Sequence, residues 1–393
     1  MRVAIMTDND FEKVNGVTTT LRAVLAHPVA DVEPHIYTCS SARQDDSGYT
    51  AVAARSVPIP FYREMAMYAP PLREIRNRLL ADRIELLHLT TPGPIGLLAR
   101  YLAEDMNLPI VGSYHTELGE YTTRLSGSPT LGAAMQAYMR WVYGRCTRIL
   151  VPSSTTRNQL EDHGWRSERL TVWSRGVDST RFHPGRRSAQ RRSAWGVSDT
   201  RPAILYAGRL SREKGLALFG PVVQLLRDYR MPHRFVLCGD GPMRDELRSL
   251  VPDAVFTGAV SHDAIGEIMA SCDVLLFPSE TDTAGNVVLE AQASGLPVLV
   301  ADRGGPQENL LDRITGSVCA AGSERDFCLR LAELLVDRRR RQTMSLAARR
   351  YAESRGWRVA LEPLFDAYRS AAVAERTAGT ISSAGPAREA AHV

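Results

Sequence analysis

Residues 272–308 constrain the fold of this 393-residue chain more than any other stretch. Asp273 to Phe277 is a short apolar run, as expected of a strand that is buried on both faces. Ala284-Gly285-Asn286 then turns the chain, and Val287 to Ser294 has the pattern of a helix. Val298 to Ala301 predicts the next buried strand. The stretch therefore predicts one strand–turn–helix–strand unit of a parallel sheet.

The turn in this stretch has the features of an anion site. A helix that begins after a glycine turn at a strand end offers unpaired N–H groups and a positive dipole end. Two carboxylates, Asp282 and Glu290, flank the turn. Both can face the crevice at the carboxyl ends of the strands, where open α/β sheets bind ligands. The alternative is that Asp282 only caps the helix and Glu290 is a solvated helix residue.

Composition excludes several classes of protein. The 48 basic and 44 acidic residues nearly cancel to a net charge of +4, which does not indicate a nucleic-acid binder. The six cysteines form no C-x-x-C pair and predict core residues of a reducing compartment. The N-terminus lacks a secretory signal, and no apolar run reaches the roughly 18 residues of a spanning helix. These features predict a cytoplasmic protein.

Strand and helix patterns alternate along the chain, which predicts an α/β fold of two Rossmann-like, doubly wound parallel-sheet domains facing a central cleft. The predicted segments are a first domain at 1–184, a linker at 185–201, a second domain at 202–356, a returning C-terminal helix at 357–375 and a disordered tail at 376–393. The arginine pairs of the linker are interpreted as solvated charge.

Two segments of the first half have less distinct patterns. Residues 40–69 are predicted to be mixed loop because prolines interrupt them. Leu72 to Ile84 predicts an amphipathic helix with arginines outside its apolar face. Such a helix usually packs on a sheet. A basic amphipathic face could also touch an anionic membrane, so peripheral contact at the inner membrane face stays open.

The GRLSREKG segment follows a predicted strand and carries two cations, Arg209 and Lys214. A basic pair in a loop is usually only solvated. Here a bidentate guanidinium and a point-charge ammonium beside a helix N-terminus fit a diphosphate. By contrast, Asp8-Asn9-Asp10 is formally a D-x-D metal pattern, but it has no evident third ligand. We therefore predict no metal and no cofactor.

The segment from Asp282 to Val298 resembles the signature of the retaining GT-B glycosyltransferases of family four. Their pattern is an acidic residue, seven residues that include a Gly, a Glu, and then Ala-x-Ala-x-Gly-x-Pro-Val. The chain matches it with Gly285, Glu290 and the run AQASGLPV. It departs in having Asp282 where the family usually has Glu, with Glu280 as a second acidic residue nearby. The resemblance covers roughly residues 1–372 and implies the GT-B fold. It also implies that the domain at 1–184 binds the acceptor and the domain at 202–356 binds the sugar nucleotide.

The resemblance also implies roles for site residues in the second domain. Arg209 and Lys214 would hold the diphosphate of a sugar nucleotide, and Glu290 would accept hydrogen bonds from the ribose. Asp282 would contact donor-sugar hydroxyls, aided by the backbone N–H groups of Ala284, Gly285, Asn286 and Val287. The nucleobase would lie near Val260 and Asp263, whose carboxylate could accept from guanine N–H groups.

In the first domain, His115 lies within GSYHTELGEY. A single histidine is more often structural, but this one matches the family's active-site His beside the donor sugar. Gly16 matches a glycine loop whose amide approaches the diphosphate or the acceptor. The segment SRGVDSTRF is a further landmark of the family.

The implied activity is that of a retaining α-hexosyltransferase with front-face attack and no metal. The segment TDTAGNVVLEAQASGLPV is most similar to that of bacterial α-mannosyltransferases that use GDP-mannose. UDP-linked glucose, galactose or N-acetylglucosamine remain alternative donors. The acceptor could be a glycolipid, a polyprenyl-linked sugar or a soluble glycoside. A non-catalytic nucleotide-sugar binder on the same scaffold is a further alternative.

Overall fold

The computed structural model describes residues 1–11, 15–46, 48–59 and 62–383. The chain divides into two compact units. Unit 1 comprises Met1–Val151, Leu160–Trp173 and the chain from Leu361 onward, and unit 2 comprises Pro152–Gln159 and Ser174–Ala360. Each unit has its own sheet and its own apolar core.

Unit 1 is built on an eight-stranded sheet among the described residues. Its strands are β1 (Arg2–Met6), β2 (Glu33–Ser40), β3 (Gln44–Asp46), β4 (Tyr49–Ala53), β7 (Leu86–Leu89), β8 (Ile110–Ser113), β9 (Arg148–Val151) and β10 (Leu170–Val172). They lie in the order β10-β9-β8-β7-β1-β2-β4-β3. All neighbours are parallel except β3, which pairs antiparallel with β4 at the edge. The central strands β7 and β8 are buried along their whole length, as strands covered on both faces should be.

Helices connect these strands. They are α1 (Gly16–Ala26), α2 (Leu72–Ala81), α3 (Pro94–Asp105), α4 (Leu118–Ser126), α5 (Pro129–Tyr143) and α6 (Ser154–Asp162), with a short 3₁₀ turn at Ser167–Arg169. Helix α6 is continuous, although its first residues belong to unit 2 and its last ones to unit 1.

Residues 40–69 are more regular than the sequence indicated. Besides β3 and β4, they contain β5 (Arg55–Ile59) and β6 (Tyr62–Ala69), which pair antiparallel. The prediction of mixed loop for this segment was wrong. Short strands of this kind form because they pair with a neighbouring strand, and intrinsic strand propensity does not predict such pairing.

Helix α2 packs with Ile75 and Leu79 fully buried, whereas Leu72 is 40% and Leu80 51% exposed. Two of its arginines form ion pairs within unit 1, since Arg76 lies 2.7 Å from Asp105 and Arg78 lies 3.0 Å from Asp45. The helix therefore packs with the middle of its apolar face, and acidic neighbours balance part of its basic face.

The C-terminal helix α15 (Glu362–Ser383) belongs to unit 1 and contacts β8, β9 and β10. Tyr368 is fully buried, and its hydroxyl lies 2.7 Å from Nδ1 of the equally buried His88 on β7. At the surface, Arg369 holds Asp31 through two hydrogen bonds of 2.7 and 3.0 Å. The segment predicted as a disordered tail begins inside this helix, and its residues 384–393 lie outside the described residues.

Unit 2 is built on a six-stranded parallel sheet in the order β13-β12-β11-β14-β15-β16. Its strands are β11 (Ala203–Ala207), β12 (Arg234–Cys238), β13 (Val255–Gly258), β14 (Val274–Phe277), β15 (Val298–Ala301) and β16 (Gly316–Cys319). Its helices are α7 (Ala189–Ala194), α8 (Phe219–Asp228), α9 (Arg244–Leu250), α10 (His262–Ala270), α11 (Asn286–Ala293), α12 (Glu324–Val336), α13 (Arg338–Glu353) and α14 (Trp357–Ala360). Four 3₁₀ turns lie at Pro184–Arg186, Arg212–Lys214, Leu216–Leu218 and Pro306–Asn309.

Residues 185–201 differ from the predicted linker because they are folded into unit 2 and contain α7. The carboxylate of Asp273 lies 2.7 Å from Arg187 and 2.9 Å from Arg192, and it accepts the N–H of Ala203 at 2.8 Å. Arg192 is only 9% exposed. Interpreting these arginines as solvated linker charge was therefore wrong, since they fasten the segment beside the start of β11 and β14.

No helix among the described residues is both long enough and apolar enough to cross a bilayer.

Candidate active site

The site in unit 2 is organised around the first turn of α11. Gly285 precedes this helix with φ of +69°, a left-handed conformation that favours glycine, and offers no side chain to cap the helix. A Cβ there would come within 2.9 Å of Pro306. Since the first N–H groups of a helix have no partner within it, the start of α11 presents donors and a positive dipole end to an anion.

A cation and a carboxylate lie in contact beside this turn. Nζ of Lys214 lies 2.7 Å from Oδ1 of Asp282, and the two side chains are 21% and 22% exposed. The other oxygen of Asp282, Oδ2, is buried and has no hydrogen-bond partner in the described part of the chain. A buried acceptor without a partner is costly, so a ligand hydroxyl at this oxygen would be favourable.

Loop packing explains why two residues far apart in the chain meet. The hydroxyl of Thr281 donates to the carbonyl of Glu213 at 3.0 Å. Gly215 has φ of +72°, and a Cβ there would lie 2.6 Å from the carbonyl oxygen of Pro278. The loop after β11 therefore packs directly on the end of β14, and only glycine permits that approach.

Glu280 and Asp282 have different surroundings. Glu280 lies 3.3 Å from Arg303, which is 65% exposed, whereas Asp282 holds Lys214. Of the two acidic candidates considered from the sequence, the structure places Asp282 against the predicted phosphate-binding cation.

Glu290 lies on α11, one turn beyond its start, and is partly buried. Burial raises the pKa of this carboxyl to about 7, and the positive charge of Arg181 opposes the shift. A nucleotide that donates hydrogen bonds to Glu290 would favour its ionised form.

Arg181 also faces Asp263, with Nε 3.4 Å from Oδ1, and Asp263 is 80% exposed. Arg186 donates to the carbonyls of both Asp263 and Arg181 at 2.9 Å. Val260, two residues before α10, is partly buried against the unit 2 core. Arg181 is thus shared by Asp263 and Glu290, a role that the landmark segment SRGVDSTRF did not predict.

Arg349 on α13 was missed entirely. Its Nη1 donates to the carbonyls of Ser179 at 3.1 Å, Phe182 at 2.8 Å and Ala293 at 2.6 Å. The first two residues flank Arg181, and the third ends the helix that carries Glu290. One guanidinium thus joins the Arg181 loop to α11, and no local sequence pattern around Arg349 predicts this.

Arg209 lies in the loop that follows β11, and its side chain is exposed. Its carbonyl accepts the hydroxyl of Tyr206 at 2.8 Å, which orders the start of the loop. The structure thus places Arg209 on the same strand-to-turn segment as Lys214.

The predicted residues of unit 1 lie at strand and helix ends. His115 follows β8, with Nε2 2.8 Å from the hydroxyl of Ser113 and its ring 6.2 Å from that of Trp173. Gly16 is the exposed first residue of α1. The side chain of Asn15 accepts the N–H groups of Val17 and Thr18 at 2.9 and 3.0 Å, so it caps that helix itself.

Asp8 of the D-x-D pattern has a structural partner set. It accepts the hydroxyl of Thr91 at 2.6 Å and the N–H of Ile95 at 2.8 Å, at the start of α3, and burial raises its pKa. Over the described ranges, acidic, His and Cys side chains form no group that could hold a metal ion.

The chain is similar to known proteins along most of its length. The family described as Glycosyltransferase Family 4 matches residues 14–181, and the one described as Glycosyl transferases group 1 matches residues 188–351. The chain is 31% identical to the GDP-mannose-dependent alpha-mannosyltransferase of Mycobacterium tuberculosis, over 94% of this chain and 96% of that protein. It is 29% identical to the Corynebacterium glutamicum protein of the same name, over 94% and 88%. The solved structure of Anabaena Alr3699/HepE in complex with UDP and glucose superposes with a TM-score of 0.74 at 16% identity, covering 94% of this chain and all of that one.

The two α/β units, each with a largely parallel sheet, and the two family matches define a glycosyltransferase of the GT-B fold, an enzyme that transfers a hexosyl group. The chain belongs to glycosyltransferase family 4. The predicted fold class and enzyme class are thereby confirmed.

Proposed function

We propose that this enzyme is a retaining α-mannosyltransferase that moves mannose from GDP-mannose to a lipid-linked or glycoside acceptor. The observation that carries the proposal is the contact of Lys214 with Asp282 beside the uncapped start of α11. The contact supports the proposal because it brings a cation and a carboxylate together beside the backbone N–H groups of one helix start.

The diphosphate is assigned to Arg209, Lys214 and the N–H groups of Gly285, Asn286 and Val287. Cleavage of the bond between the anomeric carbon and the diphosphate develops negative charge on the leaving group. Preorganised donors aimed at such charge stabilise the transition state by about 2.7–4 kcal/mol each in other enzymes. Because these groups supply the positive charge, the proposal requires no divalent metal.

The donor sugar is assigned to Asp282, whose buried Oδ2 still lacks a hydrogen-bond donor in the described part of the chain. Aspartate has a shorter arm than the family's usual glutamate. In this chain the arm is already anchored by Lys214 through Oδ1, which leaves Oδ2 for a sugar hydroxyl. Removal of Asp282 would therefore affect both the sugar and the phosphate contact.

The nucleoside is assigned to Glu290 and Asp263. Glu290 would accept ribose hydroxyls, and the exposed carboxylate of Asp263, held by Arg181, would accept guanine N–H groups. The GDP preference is supported by the two GDP-mannose-dependent relatives. A uracil base would offer one N–H group on the corresponding edge, so a carboxylate at Asp263 fits guanine better.

For the chemical step we propose front-face attack, in which the leaving phosphate accepts the proton of the acceptor hydroxyl. The assignment of His115 to a donor-sugar contact, and of Gly16 to the diphosphate or acceptor, rests on their match to the family pattern. Glycolipid, polyprenyl-linked and soluble glycoside acceptors are the three classes to be assayed. Sedimentation with anionic vesicles would test peripheral membrane contact.

The deciding experiment is a donor screen with purified protein. Thermal shift and calorimetry with GDP, UDP and their sugars, with and without EDTA, should show an EDTA-insensitive preference for GDP-mannose. Transfer to a mannoside acceptor, followed by NMR of the product, should show an α-linkage. A preference for UDP would overturn the proposed donor. A β-linkage in the product would overturn the proposed retention of configuration, and loss of activity with EDTA would overturn the metal-independent mechanism.

A further inference from the structure

Asn309 closes the 3₁₀ turn Pro306–Asn309 and is only 6% exposed. Its side-chain amide Nδ2 donates to the carbonyl of Ala284 and lies 3.5 Å from the carbonyl of Gly285. Both carbonyls belong to the turn that begins α11. A buried amide therefore holds the two peptides from which the candidate diphosphate site starts.

Because peptides are planar, the contact of Asn309 with these carbonyls also sets the direction of the N–H groups on the same peptides. The carbonyl of Ala284 shares a peptide with the N–H of Gly285, and the carbonyl of Gly285 shares one with the N–H of Asn286. In a trans peptide these two groups point in opposite directions, and the described chain contains no cis peptide. Drawing both carbonyls towards Asn309 thus turns both N–H groups away from it.

The Ala284–Gly285 turn needs stabilising contacts because its backbone does not strongly prefer the conformation that it adopts. Gly285 adopts φ of +69° and can reach other backbone conformations as easily. Two backbone bonds also brace the turn: the N–H of Gly305 donates to the carbonyl of Asp282 at 2.8 Å, and the N–H of Val288 donates to the carbonyl of Gly285 at 3.0 Å. The first bond lies upstream of the two peptides that Asn309 holds, and the second reaches the carbonyl of Gly285 but not that of Ala284.

Asn309 is itself firmly placed. Its carbonyl accepts the side-chain amide of Gln292, a fully buried residue on α11. The preceding residue, Glu308, accepts the N–H groups of Ser154 at 2.8 Å and Thr155 at 2.6 Å. These bonds tie the 3₁₀ turn to α11 on one side and to the start of α6 on the other.

We propose that Asn309 is a positioning residue for the donor diphosphate, holding the Ala284–Gly285 turn so that the N–H groups of Gly285 and Asn286 face the phosphates. The proposal rests on the proposed function of this site and goes beyond it, because the signature from Asp282 to Val298 does not include Asn309. Asn309 itself touches neither the donor nor the reacting atoms.

The test is the isosteric substitution Asn309→Asp, which removes the amide donor and sets a carboxylate against two carbonyls. Calorimetry should show GDP bound about tenfold more weakly or worse, the loss expected when a buried hydrogen bond is broken. Guanosine, which lacks phosphates, should bind as tightly as to the wild type. The control is Asn158→Asp, the same change at an exposed position of unit 2, which should leave both affinities unchanged.

Gly285→Ala serves as a second variant should Asn309→Asp not fold, because its Cβ would meet Pro306 and shift the same turn. It should show the same selective loss of GDP. Equal weakening of GDP and guanosine, or unchanged GDP affinity, in the folded variant would overturn the positioning role. A wild type that binds neither GDP nor UDP would instead overturn the proposed function. If the donor screen selects UDP, UDP and uridine replace GDP and guanosine.

Discussion

Nζ of Lys214 lies 2.7 Å from Oδ1 of Asp282, and 68 residues of chain separate the two. The pair places the predicted phosphate-binding cation and the predicted sugar-binding carboxylate in one group. Each residue therefore positions the other, and substitutions at either should affect the donor site in distinguishable ways.

Lys214→Ala should lower kcat by about 10²–10³-fold, because a preorganised charge opposite the leaving group is lost. Steady-state kinetics with GDP-mannose measures this. Arg212→Ala is the matched control, since Arg212 lies on the same 3₁₀ turn but is 84% exposed and lies 3.4 Å from Glu246. Equal losses in both variants would contradict a specific role for Lys214.

Asp282→Asn should weaken the binding of GDP-mannose more than that of GDP. The substitution removes a charged acceptor for the sugar hydroxyl, and such a hydrogen bond contributes about 1.5–3 kcal/mol. The ratio of the two affinities, measured by calorimetry, isolates the sugar contact. Glu280→Gln, at the carboxylate beside Arg303, should leave that ratio unchanged. A larger effect there than at Asp282 would reassign the sugar contact to Glu280.

The affinity for GDP-mannose should rise between pH 6 and pH 8. The pKa of Glu290 is raised to about 7 by burial, so part of the free enzyme must lose a proton before the carboxylate can accept ribose hydroxyls. Titrations in buffers of different ionisation enthalpy should show proton release on binding. In Glu290→Gln this release should disappear, and its persistence would assign the proton to another group.

The carboxyl group of Glu290 should also make the free energy of unfolding depend on pH. Above its ordinary pKa of 4.5 the unfolded chain releases the proton that the folded protein retains up to about pH 7. The contribution of Glu290 to the free energy of unfolding therefore falls as pH rises from 4.5 to 7 and stays low above that. Denaturant titrations of Glu290→Gln against wild type should give a difference that grows over this range. A difference independent of pH would contradict the raised pKa.

Tyr368→Phe should lower the free energy of unfolding by about 1–3 kcal/mol, because Nδ1 of the buried His88 would lose its partner. Urea unfolding followed by circular dichroism measures the change. Tyr101→Phe, at a side chain that is 52% exposed, is the control and should change it little. An unaltered free energy in Tyr368→Phe would show that the bond does not hold α15 in place.

His88 should make a contribution of its own that weakens the fold in mild acid. Burial lowers its pKa from 6.5 to about 3, so below pH 6.5 the unfolded chain binds a proton that the folded protein excludes. The contribution of His88 to the free energy of unfolding should fall as pH decreases from 6.5 to 5, opposite in sign to that of Glu290. The difference in free energy of unfolding between wild type and His88→Gln, which keeps a hydrogen-bonding group, isolates this contribution and should fall over the same range. An equal slope in both proteins would place the sensitivity elsewhere.

Much of unit 2 could be predicted from local patterns. The strand at Val298–Ala301, the helix after Gly285 and the alternation of strands and helices all follow from apolar periodicity and turn residues, which act over a few positions. The acidic and basic candidates were likewise predicted from local pattern, because a strand end followed by a helix start is recognisable in the chain, and their roles stay predictions.

The contacts that complete the site could not be predicted in this way. The hydrogen bonds of Asn309 to the α11 turn and of Arg349 to three carbonyls join residues that lie 24 to 170 positions apart. No local sequence pattern around either residue predicts these bonds. The arginines at 187 and 192 look like solvated charge until Asp273 is placed between them. A charged residue has the same sequence neighbours whether it is exposed or buried, so only packing decides which.

The sequence by itself therefore determined the fold class, the family and the segments that carry the proposed donor site, because these depend on local periodicity and a long motif. Tertiary structure decided which acidic residue meets Lys214, how the α11 turn is held and where the C-terminal helix packs. The physical reason is that hydrogen bonds and desolvation act between atoms brought close in space, whatever their distance along the chain.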